Sequence, residues 1–192
     1  MTTQRLYPPL IQRLIPIPHS LGRTLLCVAL GVAATALFAQ LRLELGAVPL
    51  TGQTLAVLLI GAAYGARLGA ITLASYLGVG ALGLPVFSGG ASGLSTLTGV
   101  TAGYLVGFVL AAAVVGALAE RGWDRRPVWT ALAMLIGNVL IYLPGLLWLG
   151  QFMPDWSSTL RQGLAPFIIG DIIKLMVAAG LLPAVWKLLE RA

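Results

Sequence analysis

The residues that could do chemistry stand together near the C-terminal end. In Pro166-Phe-Ile-Ile-Gly-Asp171-Ile-Ile-Lys174-Leu-Met176 a carboxylate and an ammonium lie three positions apart within an otherwise apolar run. On a helix, positions i and i+3 project from one face. An ionised side chain at mid-bilayer costs ~2.5–3.5 kcal/mol even on insertion scales, so intramembrane charge marks a site by default. No other apolar run of this chain carries such charge. Two readings follow. The pair glues its helix to neighbours as an internal ion pair, or it lines a polar pocket for a solute that carries a carboxylate and N–H donors.

Other chemistry is excluded by inventory. Ser95 in Gly93-Leu-Ser-Thr96 has no histidine in any apolar run to act as its base, since the one histidine, His19, stands at a polar junction near the N-terminus. An intramembrane aspartyl protease needs two aspartates, and Asp171 stands alone in its span. Gly99-x-x-x-Gly103 is followed by no Gly-Lys-Ser/Thr, so it reads as close helix packing rather than a phosphate loop. Any coupling to ATP must come from partner subunits. The single cysteine, Cys27, forms no internal disulfide and no cysteine metal cluster, and reads as a small buried apolar residue. Neither a metal nor a cofactor is expected, and the chain is not expected to be an enzyme.

The elements that hold these residues are set by the solvent. Hydrophobic residues make up 58% of the chain and charged ones 9%, against ~25% charged in a soluble domain. Such a chain belongs in a lipid bilayer, where the backbone must satisfy its own hydrogen bonds. The apolar runs are unbroken rather than alternating, which selects helices over a barrel. The pattern predicts an all-α membrane protein with six spans: Thr24–Leu41, Gly52–Tyr64, Leu68–Leu84, Ala102–Ala119, Val128–Leu149 (interrupted at Pro144 and Gly145) and Leu164–Leu189. Residues 1–23, basic and broken by Pro8, Pro9, Pro16 and Pro18, read as a cytoplasmic leader, and residues 24–192 as one membrane domain. The second and third spans fall short of the ~20 residues that cross an average hydrocarbon core.

The net charge of +6 does not point to nucleic acid, because the basic residues stand scattered at the ends of apolar runs. It does orient the chain. With the N-terminus inside, inner segments hold Arg5, Arg13, Arg23, Arg67, Arg121, Arg125, Arg126, Lys187 and Arg191, and outer ones only Arg42 and Arg161. Both termini are therefore expected in the cytoplasm. Leu43–Thr51, Pro85–Thr101 and Gln151–Gly163 then lie outside, near the Asp171 end of the last span. Pro85–Thr101 is free of charge and glycine-rich, and a loop of this length is more often functional than idle. On the first span, Ala29 and Ala33 with Gly31 between them offer small residues at the spacing that lets another helix come close. The same alanines could instead pack within the chain.

Five blocks together resemble the BioY family, the biotin-specific substrate-binding subunits of energy-coupling-factor transporters. They are Val48-Pro-Leu-Thr-Gly-Gln53-Thr-Leu-Ala-Val-Leu-Leu59, Gly65-Ala-Arg67-Leu-Gly69, Gly83-Leu-Pro85-Val-Phe87-Ser-Gly-Gly90, Gly99-Val-Thr-Ala-Gly103-Tyr104, and Pro166 to Lys174. The fourth block departs from the family's usual Gly-Pro-Thr-Gly-Gly-Tyr by lacking the proline. The resemblance implies six helices in a prokaryotic inner membrane. It implies a biotin site near the outer face, closed by the loop between the first two spans, with Asp171 and Lys174 as polar anchors. Thr51, Gln53, Phe87 and Ser88 are the further candidate substrate contacts. Tyr142, Trp148 and Trp156 are aromatics that could wall a ring system. The resemblance also implies docking through Ala29 and Ala33 onto a transmembrane coupling subunit that carries two ATPases. A sister subunit for another small water-soluble vitamin is the alternative within the same class.

Overall fold

A computed structural model describes residues 7–14, 20–44 and 46–191. Arg5, Pro16, Pro18 and His19 lie outside the described residues.

The chain is built almost entirely from helices: α1 (Leu10–Leu14), α2 (Leu21–Gln40), α3 (Gln53–Tyr64), α4 (Ala66–Ala81), α5 (Leu94–Thr98), α6 (Ala102–Ala119), α7 (Pro127–Leu149), α8 (Trp156–Gly163) and α9 (Ile168–Arg191). By length and composition α2, α6, α7 and α9 can cross a membrane. At 12 and 16 residues, α3 and α4 are shorter. The most buried helix is α6, which packs against α3, α4 and α7. In turn α9 packs on α7 and α2 on α4.

Several local features differ from the sequence reading. The first long helix starts at Leu21 rather than Thr24, because Ser20 caps it by accepting a hydrogen bond from the Arg23 N–H at 3.2 Å. Within the leader, α1 buries Leu10 and Ile11 against the bundle, and the Tyr7 N–H donates to the Glu120 carbonyl at 2.7 Å. The segment from Leu43 to Thr51 is not simply a loop. Arg42–Leu43 (β1) and Leu50–Thr51 (β2) form a two-residue antiparallel ribbon with Arg42 opposite Thr51. The loops Pro85–Thr101 and Gln151–Gly163 carry α5 and α8. The latter is capped by Asp155, whose carboxylate accepts from the Ser158 N–H at 2.8 Å.

Pro144 does not interrupt the fifth span, for α7 runs unbroken from Pro127 to Leu149. A proline inside a helix frees the carbonyl four residues back, here that of Leu140. The α6 glycines receive this turn. A Cβ on Gly107 would sit 2.8 Å from the Leu140 oxygen, and one on Gly103 would sit 2.2 Å from the Pro144 oxygen. Without side chains at these two positions the α6 backbone closes directly onto the altered turn.

Candidate functional site

The last long helix places the charged pair as its sequence predicts. Asp171 falls in the first turn of α9, where the positive end of the helix dipole favours a carboxylate. Lys174 follows one turn later, and its ammonium lies 3.1 Å from Asp171 Oδ1. The other Asp171 oxygen accepts a hydrogen bond from the Tyr142 hydroxyl. The ammonium also donates to the Thr51 carbonyl and to the Thr54 hydroxyl, each at 2.8 Å. An ammonium has three protons, and these contacts use all of them.

Lys174 lines a cavity of about 190 Å³. Of the candidate residues, Thr51, Gln53, Phe87, Ser88 and Lys174 line it together. Asp171 does not line it. Asp171 stands behind, gripping Lys174 from one side and Tyr142 from the other. The pair is therefore asymmetric: the ammonium faces the cavity and the carboxylate holds it there.

Each lining side chain is fixed by a local reason. Gln53 opens α3 and is 5% exposed. Tyr76 has one hydroxyl proton, which the Val86 carbonyl accepts at 2.9 Å. Its oxygen must then accept from the Gln53 amide N–H, 2.7 Å away, and this sets which way the amide points. The Gln53 oxygen accepts from the Thr51 hydroxyl at 3.1 Å. Phe87 is buried edge-on against Tyr76, ring centroids 5.4 Å apart. Its ring fits because position 80 is glycine, where a Cβ would meet it at 2.1 Å. The Ser88 hydroxyl is buried and has no hydrogen-bond partner among the described residues. A buried hydroxyl without a partner costs free energy, so Ser88 is the wall position most in want of a solute.

Further lining residues were not singled out from sequence. Thr54, Thr96 and Thr101 add hydroxyls, and Tyr104, Phe108 and Phe167 add aromatic wall. Thr54 and Tyr104 lie in the quoted blocks, so a signal was present. Phe167 sits beside Pro166 in the last block. Of the three aromatics considered, Tyr142 lines the cavity. Trp148 instead supports its rim, donating its indole N–H to the Gly99 carbonyl at 2.9 Å. Trp156 is 56% exposed on α8 and lines no part of it.

Ala29 and Ala33 lie elsewhere. Both are exposed on α2, whose opposite face buries Cys27, Gly31, Thr35 and Ala39. Gly31 meets α4 closely, where a Cβ would lie 2.5 Å from Thr72. The intrachain packing of α2 thus uses Gly31 and leaves the two alanines free of it. Among the described residues no group of histidine, cysteine, aspartate and glutamate could hold a metal ion.

The chain is 38% identical to a protein of Pyrococcus horikoshii named as a probable biotin transporter BioY, over 79% of this chain and 88% of the relative. It is 38% identical to the biotin transporter BioY2 of Lactococcus lactis, over 80% of this chain and 85% of the relative. With the biotin transporter BioY of Thermotoga maritima it shares 36%, over 82% and 92%. In fold it is similar to the crystal structure of the S-component for biotin from an ECF-type ABC transporter, with a TM-score of 0.74 at 23% identity, covering 86% of this chain and 92% of that one. The signature of the BioY family matches residues 12–191, and the chain belongs to that family.

Proposed function

We propose that this chain binds biotin in the cavity at Lys174 and serves as the substrate-binding membrane component of a biotin uptake system. The observation that carries the reading is a half-buried lysine lining a cavity whose walls are aromatic and hydroxylated. Biotin offers a carboxylate, a ureido group with N–H donors, and an apolar ring and tail. The carboxylate suits Lys174: it brings a full negative charge to the ammonium, where the Thr51 and Thr54 oxygens bring only dipoles, so it can displace one of them. Ureido donors suit the unpartnered Ser88 oxygen, and the apolar body suits Phe87, Tyr104 and Phe108.

On this reading six helices span a prokaryotic cytoplasmic membrane, with α3 and α4 as the short ones. Both termini face the cytoplasm, which the distribution of arginine and lysine supports, and the cavity opens outward. Biotin is cargo rather than cofactor, and the chain performs no reaction on it. Energy comes from a transmembrane coupling subunit with two ATPases, docked at the exposed Ala29 and Ala33 on α2. Titration calorimetry of the detergent-purified protein tests the core of the reading. Saturable one-site binding of biotin is expected; binding of a different vitamin in preference to biotin would overturn it.

A further inference from the structure

Tyr142 does more than line the cavity. A second concavity of about 390 Å³ lies between α7 and α9 on the outer surface of the bundle. Its walls are apolar, formed by Leu135, Val139, Leu143, Ile168 and Ile172 among others, and Asn138 and Asp171 lie at its floor. Asn138 is 8% exposed, and its carbonyl oxygen has no partner among the described residues. Tyr142 is the one residue that borders both this groove and the inner cavity. Its ring is held from three sides: edge-on by Tyr104 at 6.0 Å, by Phe167 at 6.1 Å, and by its hydroxyl on Asp171.

We propose that the Tyr142 ring is the partition that ends the binding cavity, and that it sets ligand specificity by excluding solutes extended at the end that faces Lys174. The inference rests on the biotin reading. Lys174 and Tyr142 share Asp171, so the carboxyl end of a ligand held at Lys174 lies beside Tyr142. An alkyl group attached there has nowhere to go while the ring stands. With the ring removed, it runs into an apolar groove of matching character. An amide N–H at the junction would also meet the unpartnered Asn138 oxygen.

The test compares three ligands: biotin, biotin primary amide and biotin N-pentylamide. The two amides lack the carboxylate equally, so their ratio isolates the alkyl tail from the lost charge. In the parent the tail is expected to weaken binding by about tenfold or more, the penalty of forcing volume against the end of the cavity that the ring walls off. In Tyr142→Ala, and in Tyr142→Val, which keeps an apolar side chain in place, the pentylamide should bind at least as well as the primary amide. Tyr142→Phe loses the bond to Asp171 but keeps the ring, so it should still reject the tail. Adding Val139→Trp to Tyr142→Ala should fill the groove and restore rejection. Tolerance of a tail is a gained property that a merely damaged protein does not acquire. If the parent and both small variants bind biotin yet discriminate against the tail alike, the partition is wrong while the biotin site stands. If Phe at 142 admits the tail as Ala does, the ring is not the barrier. If the parent does not bind biotin, the functional reading fails and the partition with it.

Discussion

Lys174 donates a hydrogen bond to the backbone carbonyl of Thr51 at 2.8 Å. A side chain on the last helix thereby holds the end of a ribbon that follows the first long one. The contact joins two parts of the site 123 residues apart in sequence. With Thr54 and Asp171 it leaves the ammonium fully partnered, so the protein tolerates the charge when the cavity holds no solute.

Removing either member of the pair therefore has unequal consequences. Lys174→Ala deletes the cavity's cation and leaves Asp171 with Tyr142. Asp171→Asn keeps an amide oxygen for the ammonium but removes its counter-charge. Breaking a buried pair costs on the order of 3–5 kcal/mol in binding, stability or both. Both variants should insert and lose biotin affinity in calorimetry, Lys174→Ala more directly because only Lys174 faces the cavity. Parent-like binding by both would make the pair purely structural.

Ser88→Ala separates a ligand contact from a packing role. Its hydroxyl has no partner among the described residues, so its loss should leave the melting temperature of the ligand-free protein unchanged or raise it. Biotin should bind more weakly by about 0.5–1.5 kcal/mol, the worth of one neutral hydrogen bond. A fall in ligand-free stability with unaltered affinity would assign the hydroxyl to the fold.

The face at Ala29 and Ala33 should be separable from the cavity. Large side chains hold helices apart, and both alanines are exposed on α2. Ala29→Leu with Ala33→Leu should keep biotin binding in detergent at the parental level. Co-purification with a coupling subunit, and uptake in cells that supply one, should be lost. Poor binding by a correctly inserted double variant would instead place the alanines in intrachain packing.

Asp124, in the turn between α6 and α7, gives a pH signature. It is 3% exposed, its Oδ2 accepts from the Trp186 indole N–H, and Oδ1 has no partner among the described residues. Burial raises its carboxyl above the ordinary 3.8, against the lowering effects of the Trp186 bond and the Arg125 charge. The folded chain then holds the proton at pH values where the unfolded chain has released it. Stability attributable to this group is thus greatest below the unfolded value and declines as pH rises from there through the raised folded one. Asp124→Asn keeps an oxygen for Trp186 and removes the titration. Thermal melts across acidic pH should show a flatter profile for the variant, with no loss of stability at neutral pH. An unchanged profile would mean that Asp124 titrates normally.

How much of this was legible beforehand depended on range. The Asp171–Lys174 pairing is a matter of helical spacing, and α9 displays it as written. The gathering of Thr51, Gln53, Phe87 and Ser88 around one cavity followed the quoted blocks. The acceptors of Lys174 were not legible, since Thr51 and Thr54 meet it only through tertiary packing. Pro144 misled because a proline's effect on a helix depends on what packs against the altered turn, and the glycines that do so belong to α6. Between Gln151 and Gly163 the polar composition concealed α8, although Asp155 three residues before Ser158 is a capping arrangement visible in sequence. Nothing in the local sequence around Tyr142 indicates that its ring stands between two spaces.

The seating of the Leu140–Pro144 turn on Gly103 and Gly107 bears on the thermodynamics of capture. Tyr104, Leu105, Phe108, Ile141 and Tyr142 all face the cavity from the stretch of α6 and α7 that this contact interlocks. Two backbones in direct apposition leave little room for relative sliding, so this part of the wall is preorganised. Ordering it adds little entropic penalty when a solute arrives. Flexibility that tunes affinity must then come from the other side of the cavity, where Lys174 ties a two-residue ribbon to the last helix.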